Sequence, residues 1–356
     1  MTRRKAITIK DLALKAGLSP ASVSMILNKK SIDRFSQETV AQVLQLAQEL
    51  GYASPRTKAY ALVQPADTLI IIVCPSLVNP FYTTIIQGIE IAARNQGYTT
   101  SVRTTYWDEN IEAAIIEQAK RLHVAGVIFA MIPQQPQLAY NLSQKLPVVA
   151  IGDRTGDLEL ATVDMNNFNA GRLLGQHLLD LGHKNLAYIT TTLNQQHTSR
   201  VRRYEGLRAA CEAVEGAQVQ VFQQVITPDF EINNVDVEYT TGYNLTLSCL
   251  EKHPQVTAII AINDMVAYGA LNALYDKGLK VPEDISLCGF DNIFPSKLHG
   301  VDLTTIDYSL TECGQSAFKL LLEEISNYEY HGRFHAITHV EYKCQLMGRK
   351  STGTVK

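Results

Sequence analysis

The chain has 356 residues, of which 46% are hydrophobic and 19% are charged. That composition excludes a disordered or collagen-like chain and predicts two or three globular domains with a large buried core. The longest apolar run near the front is Leu69 to Cys74, far shorter than the ~20 residues that span a bilayer. The basic N-terminus has no apolar stretch behind it, so it lacks the pattern of a secretory signal.

The six cysteines are widely spaced and form neither a C-x-x-C pair nor a His/Cys cluster. This spacing indicates reduced core residues in a cytoplasmic protein rather than disulfides or metal ligands. We therefore predict no metal site and no cofactor.

The net charge of −3 is unevenly distributed along the chain. Residues 1–62 hold ten Lys and Arg against four Asp and Glu, a net of +6, and the remainder holds 22 against 31, a net of −9. A small basic segment on a larger acidic body is expected when only the small segment meets a polyanion. A flexible basic tail without a specific partner would carry the same charge, so folding signals must decide between the two.

The first 52 residues predict three short helices. Thr8 begins the first with the spacing of a capping box, and Gly17 ends it with a residue suited to a left-handed turn. Ser19 is then a typical helix N-cap and Pro20 a typical first helical residue. A third apolar helix begins at Ser36. Two helices joined by a short glycine-containing turn form the helix-turn-helix unit, whose second helix enters the major groove of DNA.

The apolar stripe of the second helix packs inward, so its other residues remain available to DNA. Hydroxyl groups and helix N-termini are typical phosphate ligands. The predicted DNA contacts in this region are Thr8, Ser19, Pro20, Ala21, Ser22, Ser24, Met25, Asn28 and Lys29. A three-helix protein-binding module is the alternative, but the turn, the charge and the caps together favour DNA.

Residues 7–28, ITIKDLALKAGLSPASVSMILN, resemble the opening of the lactose-repressor (LacI/GalR) family, T-x-x-D-V-A-x-x-A-G-V-S-x-x-T-V-S-R-V-L-N. The resemblance implies a transcription regulator that binds a roughly palindromic DNA operator as a homodimer. Where the family has Arg in V-S-R-V-L-N, this chain has Met25, which cannot make the bidentate hydrogen bonds that Arg offers guanine. We therefore predict an operator that differs from the common family operator at the base facing Met25.

Residues 53–67 resemble the family's hinge, Y-x-P-N-x-x-A-R-x-L. The resemblance implies a helix that orders on DNA and inserts Leu62 into the minor groove, which kinks the duplex. Leu62 stands seven residues after Pro55, as the pattern requires, although one extra residue precedes Pro55 and Arg56 and Tyr60 replace the usual Asn and Arg. A plain linker is the alternative.

From Thr68 onward, short apolar runs alternate with helical patterns. Two successive series of such units predict an α/β core of two lobes, each a doubly wound parallel sheet, with a ligand cleft between their strand ends. The predicted strands are 68–74, 99–104, 125–130, 147–151, 185–190, 219–225, 257–262, 285–289, 303–306 and 336–344. The predicted helices are 82–96, 110–123, 169–181, 203–214, 241–252, 265–277 and 312–328.

This part resembles the periplasmic-binding-protein-like effector core of the same family, because several family landmarks recur in order. They are N-P-F-Y at 79–82, D-R at 153–154, L-G-H-K at 181–184, N-D-M-V-A-Y-G-A at 263–270, G-F-D-N at 289–292 and L-T-T-I at 303–306. The predicted domains are a helix-turn-helix head at 1–52, the hinge at 53–67, the effector-binding and dimerisation core at 68–347 and a polar tail at 348–356. Within the core we predict an N-lobe of about 68–165 and 307–335, and a C-lobe of about 166–306 and 336–347.

The effector site is predicted at the strand ends. Arg203 stands three residues before Gly206 and so matches the family's R-x-x-G arginine, whose planar fork suits paired hydroxyls, a carboxylate or a purine edge. Asp291 can accept two vicinal hydroxyls, and Asn263 can both donate and accept, although a strand-end cap or an inter-lobe salt bridge would use the same residues. Trp107 is expected at the rim or the surface. The predicted effector contacts are Phe81, Tyr82, Asn166, Arg203, Asn263, Asp291 and Tyr308.

The motifs of metalloproteases, serine hydrolases, P-loop enzymes and dinucleotide-binding enzymes are all missing from the sequence. We therefore predict no catalytic residues and no enzyme activity. The sequence predicts a DNA-binding transcription regulator, most simply a repressor, controlled by a sugar or sugar derivative, with no membrane partner. The alternatives are a purine-like corepressor, an activator built from the same parts and, less favoured, a solute-binding receptor. No leucine-heptad tail follows Cys344, so a tetramer of that type is not expected.

Overall fold

The computed structural model describes residues 9–27, 34–36, 39–40, 42–43, 46, 68–154, 158–194, 197–331 and 337–355, without the side chains of 329–331. They fall into two units, Met1–Pro65 and Ala66–Lys356. The predictions for Thr8, Asn28, Lys29, Leu62 and the hinge at 53–67 lie outside the described residues.

The smaller unit contains the two helices expected of the helix-turn-helix, α1 (Ile9–Ala16) and α2 (Pro20–Leu27). Gly17 takes the left-handed conformation between them, with φ of +67°. The apolar residues at helical spacing pack against one another and against helical residues of the third segment. This small core consists of Leu12, Ala13, Val23, Ile26 and Val43.

The larger unit alternates strands and helices as predicted. Its strands are β1 (Leu69–Cys74), β2 (Thr99–Thr104), β3 (Gly126–Phe129), β4 (Val148–Ile151), β5 (Ala161–Asp164), β6 (Asn185–Thr190), β7 (Gln218–Gln223), β8 (Ala258–Ala261), β9 (Ser286–Cys288), β10 (Thr305–Asp307), β11 (His339–Glu341) and β12 (Gln345–Met347). Its helices are α3 (Pro80–Asn95), α4 (Glu109–Arg121), α5 (Pro136–Ser143), α6 (Asn167–Asp180), α7 (Thr198–Glu212), α8 (Pro228–Asn233), α9 (Val237–Lys252), α10 (Asp264–Asp276) and α11 (Leu310–His331).

The first lobe is built on a six-stranded parallel sheet in the order β11-β5-β4-β3-β1-β2. Strand β1 shows why its sequence is continuously apolar: Ile70 and Ile72 pack on the face covered by α3 and α11, whereas Ile71 and Val73 pack on the face covered by α4 and α5. Apolar residues at every position stabilise a strand that is buried on both faces.

The second lobe is built on a four-stranded parallel sheet in the order β7-β6-β8-β9. Two helix pairs accompany it, α6 with α7 and α9 with α10, which belong to the second βα series. The predicted fold class, a helical head followed by two doubly wound parallel lobes, is therefore confirmed. No helix in the described part of the chain has the length and apolar character needed to cross a membrane.

Four short elements were not predicted, namely β5, α5, α8 and β12, because none carries a long enough periodic pattern. The predicted assignment of 336–347 to the C-lobe is wrong for β11, which pairs in parallel with β5 in the first sheet. Segment 348–356 was predicted only as a polar tail. Its described residues, 348–355, pack on the second lobe, where the backbone oxygen of Ser351 accepts a hydrogen bond from the Leu287 amide at 2.8 Å. The polar tail residues satisfy backbone groups of the edge strand β9.

Candidate functional site

The predicted DNA-contacting surface lies on α2. Ser19 accepts a hydrogen bond from the Ser22 backbone amide at 3.1 Å and so caps the helix as expected. Ser19, Pro20 and Ala21 are exposed. Ser22, Ser24 and Met25 are half-buried, whereas Val23 and Ile26 are fully buried in the head. The helix therefore presents the predicted contacts on its other sides, starting at its positively polarised N-terminus.

The polar centre of the larger unit is Arg203 on α7, which is 6% exposed. Its Nε donates to the Asn167 side-chain oxygen at 2.7 Å, its Nη1 to the Ile262 backbone oxygen at 2.6 Å, and its Nη2 to Asp291 at 3.1 Å. Asp291 follows β9 and has a left-handed backbone, with φ of +110°. The guanidinium and the carboxylate thus form a buried ion pair at the strand ends of the second lobe.

Aromatic rings hold this arginine in place. The guanidinium carbon lies 4.7 Å from the ring centre of Phe290 and 5.3 Å from that of Tyr308. The Tyr308 hydroxyl donates to the Asn167 side-chain oxygen at 2.6 Å. Arg203 is therefore fixed by stacking and by hydrogen bonds before any ligand arrives, a geometry that suits bidentate recognition.

A cavity between the two lobes opens onto this arginine. We call it the inner compartment and define it by Phe81, Asn167, Arg203, Asn263 and Asp291, all of which line it. Tyr82 also lines it, so five of the predicted effector contacts meet in one place. The rings of Phe81 and Tyr82 pack edge to face with centres 5.0 Å apart.

Two predicted contacts have other roles. Asn166 caps α6 by accepting from the Asn169 amide at 3.0 Å, and its side-chain nitrogen donates to Glu341 at 2.7 Å. The next residue, Asn167, lines the compartment instead. Tyr308 is fully buried and supports Arg203 through Asn167. The predicted segments border the cavity, but only the tertiary contacts show which side chain lines it.

Glu238 on α9 was missed by the sequence analysis, although it bridges the two lobes. Its carboxylate accepts from the Asn79 side chain of the first lobe at 2.8 Å and from the Asn263 side chain of the second at 2.7 Å. Both asparagines also cap helices, α3 and α10 respectively. Burial raises the pKa of Glu238, and Arg200 and the two amides oppose that effect.

Trp107, predicted at the rim or the surface, is half-buried and lines the cleft. Its ring lies 4.5 Å from that of His197, centre to centre, and the Arg200 guanidinium carbon lies 5.3 Å from the Trp107 ring centre. Arg200 also donates to the Thr192 backbone oxygen at 3.0 Å. Trp107 is the third residue after β2, and its position near a strand end was the signal that could have identified it. Among the described residues, no His, Cys, Asp or Glu cluster could hold a metal ion.

Comparison with known proteins agrees with this architecture. Residues 8–54 match the family described as "Bacterial regulatory proteins, lacI family", and residues 67–349 match "Periplasmic binding proteins and sugar binding domain of LacI family". The chain is 32% identical to the HTH-type transcriptional repressor PurR of Histophilus somni (strain 129Pt), over 98% of this chain and 99% of that one. It is 30% identical to the ribose operon repressor of Halalkalibacterium halodurans, over 89% of this chain and 90% of that one.

Two solved structures show the same fold. The transcriptional regulator CelR–cellobiose complex has a TM-score of 0.67 at 23% identity and covers 97% of this chain and 99% of its own. A LacI family transcriptional regulator from Enterococcus faecium with bound ribose has a TM-score of 0.67 at 25% identity, over 81% of this chain and 100% of its own. Both of the named relatives above are repressors, and each aligns over at least 89% of this chain. The chain belongs to the LacI family of bacterial regulatory proteins, and it is a DNA-binding repressor controlled by an effector.

Proposed function

We propose that the protein binds a roughly palindromic operator as a homodimer, in the cytoplasm, and that a sugar or sugar derivative in the inner compartment controls its affinity for DNA. The effector assignment rests mainly on the environment of Arg203. Its described protein partners use three of its five N–H groups, and it lines the cleft between the lobes. The remaining N–H groups are the ones that we expect to contact a ligand.

The polar groups around Arg203 complement a hydroxyl-bearing ring. Asp291 can accept hydroxyl hydrogens, and Arg203 can donate to hydroxyl oxygens beside them. Phe81, Tyr82 and Trp107 provide apolar surface. The Enterococcus faecium regulator holds ribose on the same fold, which supports a sugar. A purine base would also use an arginine fork and an aromatic face, so nucleobases belong in the same test.

Control of DNA binding follows from the position of the ligand between two lobes. A ligand that contacts both lobes stabilises one degree of closure relative to others, and it can shift the equilibrium only by its difference in affinity for those states. Binding of effector and of operator must then affect each other equally, with a coupling that is typically about 1–3 kcal/mol.

The first experiment is a thermal-shift screen of the full chain against sugars, sugar phosphates and nucleobases. Operator sequences are selected from random DNA in parallel, and recovery of the common family operator would contradict the prediction made for Met25. Fluorescence anisotropy of the selected operator is then measured with and without each hit. At least one hit should change operator affinity, and no change with any compound that binds would contradict the proposal.

A variant then tests the place of the site. Removing Arg203 outright would leave Asp291 buried without its partner, which typically costs about 3–5 kcal/mol. Arg203→Lys keeps the charge but loses the planar fork, so we expect effector affinity to fall at least about tenfold while operator affinity without effector stays unchanged. Arg208→Lys, on the exposed side of the same helix, is the matched control. An unaltered response in Arg203→Lys would place the effector elsewhere.

A further inference from the structure

The cleft continues past Arg203 into a second space, which we call the outer compartment. It is defined by Trp107, Thr191, Thr192, Arg200, Glu231 and Glu238. Trp107, Arg200 and Glu238 line both compartments, so the two are adjacent and share these side chains as a common boundary. A ligand bound at Arg203 therefore lies next to the outer compartment.

The two compartments differ in charge. In the inner one, the positive charge of Arg203 is matched by Asp291 at 3.1 Å. The outer one holds two carboxylates, Glu231 and Glu238, against the single guanidinium of Arg200. The hydrogen bonds to Glu238 come from neutral amides, which leave its charge in place. With both carboxylates ionised, the outer compartment carries one negative charge in excess.

Glu231 is the less satisfied of the two carboxylates. It lies on the short helix α8, and no described residue donates a hydrogen bond to its carboxylate. Burial and, to a smaller extent, the nearby Glu238 raise the pKa of Glu231 to about 7, against the opposing effect of Arg200. A positively charged group placed beside Glu231 would reverse the dominant effect, because it would stabilise the ionised carboxylate.

An independent feature of the same compartment also indicates a missing polar partner. The Thr191 side chain is 2% exposed, and its hydroxyl has no hydrogen-bond partner in the part of the chain that the structure describes. Buried hydroxyl groups are nearly always paired. Thr191 lines the outer compartment, so a polar group of a ligand placed there can supply the missing bond.

We propose that the effector is an amino sugar, whose protonated amine lies in the outer compartment near Glu231 and Glu238 while its hydroxyl-bearing ring occupies the inner compartment. The inference rests on the proposed function and narrows its ligand class. An ammonium group donates three hydrogen bonds and accepts none, which suits two carboxylates and a threonine oxygen.

The test is calorimetry on the full chain with three matched pairs: glucose with glucosamine, galactose with galactosamine, and mannose with mannosamine. All six are measured at one pH and one ionic strength. At least one amino sugar should bind at least about tenfold more tightly than its neutral partner, because a charge-assisted hydrogen bond is roughly twice as strong as a neutral one.

Two variants assign that preference to the outer compartment. Glu231→Gln should lower the affinity for the amino sugar at least about fivefold and leave the affinity for the neutral partner within twofold. Asp229→Asn changes the charge by the same amount on the same helix, at an exposed position. It should alter neither the affinity for the amino sugar nor the affinity for its neutral partner. The unchanged binding of the neutral sugar shows that each variant is folded.

The outcomes separate this inference from the proposed function. Equal or tighter binding of the neutral sugars, or an unchanged amino-sugar affinity in Glu231→Gln, overturns the amine assignment while leaving a sugar-controlled repressor. Failure of all six sugars to bind also overturns it, and the wider ligand screen with the operator readout then decides whether the proposed function falls as well.

Discussion

Trp107 is the single tryptophan of the chain, and it stands where the two compartments of the cleft meet. Its ring contacts His197 and Arg200, both of which belong to the second lobe, whereas Trp107 itself follows β2 of the first. One side chain therefore contacts both lobes and the space between them. Its environment must change when a ligand enters or when the lobes shift.

We predict that effector binding produces a saturable change in intrinsic fluorescence, since no other tryptophan contributes to the signal. Trp107→Phe should remove this signal and keep ligand affinity within about tenfold, because stacking on an aromatic ring contributes about 0.5–1.5 kcal/mol. A titration of both proteins by fluorescence and calorimetry checks this. A ligand that binds by calorimetry and leaves the Trp107 spectrum unchanged would place the site outside the cleft.

At the scale of elements, three helix pairs of the core pack at glycines. A Cβ on Gly206 of α7 would overlap the Phe168 backbone oxygen of α6, and one on Gly171 would overlap that of Arg203. The pairs α9 with α10 and α3 with α11 meet in the same way at Gly242, Gly269, Gly88 and Gly314. These contacts are between backbone atoms. A side chain added at one of these glycines could therefore fit only if a whole helix moved.

Gly206→Ala should therefore push α7 away from α6 and displace Arg203, which lies one turn earlier. We expect a loss of about 1–3 kcal/mol in the free energy of unfolding, typical of overpacking, and weaker effector binding. Gly348→Ala is the control, because a Cβ there meets no atom within 4 Å. Denaturant unfolding and calorimetry compare the two variants. A Gly206→Ala protein with wild-type stability and ligand affinity would show that the helices can separate freely.

A buried carboxylate joins two other elements. Glu112 of α4 is fully buried and accepts the Gln135 backbone amide at 2.8 Å and the Gln134 amide at 3.2 Å, just before α5 begins. Burial raises the pKa of Glu112 from 4.5 to about 6, against the effect of the two amides. Its ionised form is thus less stable in the folded protein than in the unfolded chain.

The sign of the pH effect follows from that shift. The contribution of Glu112 to stability is fully present below about pH 4.5 and is lost as the pH rises through about 6, a change of about 2 kcal/mol. The Glu112→Gln variant loses one hydrogen-bond acceptor, so its free energy of unfolding should be lower overall. That free energy should also lack the part of the pH dependence that comes from Glu112. Urea unfolding at several pH values between 4 and 7 measures the difference, and parallel curves for both proteins would contradict the prediction.

At the scale of the whole molecule, the feature that matters most for DNA binding is that the positive and the negative net charge lie in different parts of the chain. The net +6 of residues 1–62 and the net −9 of the remainder mean that DNA attraction must come from the head, since the core repels a polyanion. Binding that neutralises phosphates releases counterions and so weakens as salt rises.

We predict that operator affinity falls at least about 10³-fold between 50 and 200 mM salt, as expected for six or more phosphate contacts in a dimer. A fragment of residues 68–356 should not bind the operator and should keep its effector affinity. Anisotropy titrations at several salt concentrations test this for both proteins. A shallow salt dependence, or operator binding by the fragment, would show that the head is not the main contact.

The sequence by itself determined the helical head, the family and the alternation of strands and helices, because caps, turns and apolar periodicity act over only a few residues. Gly17, Ser19 and the apolar run of β1 behave as their local pattern requires. It also located Arg203, Asn263 and Asp291, which stand at recognisable ends of strands or motifs. Long local patterns were reliable, whereas the short elements β5, α5 and α8 carried too little signal.

Only the tertiary structure decided which side chains share the cleft. Glu238 meets Asn79 from 159 positions away along the chain, and Asn167 rather than Asn166 faces Arg203. Likewise, β11 pairs with β5, although the two strands lie far apart in the sequence. Such contacts depend on how distant segments of the chain pack together, and the local sequence around each residue does not indicate that packing. The charge of the outer compartment, and with it the expected chemistry of the ligand, exists only once the chain has folded.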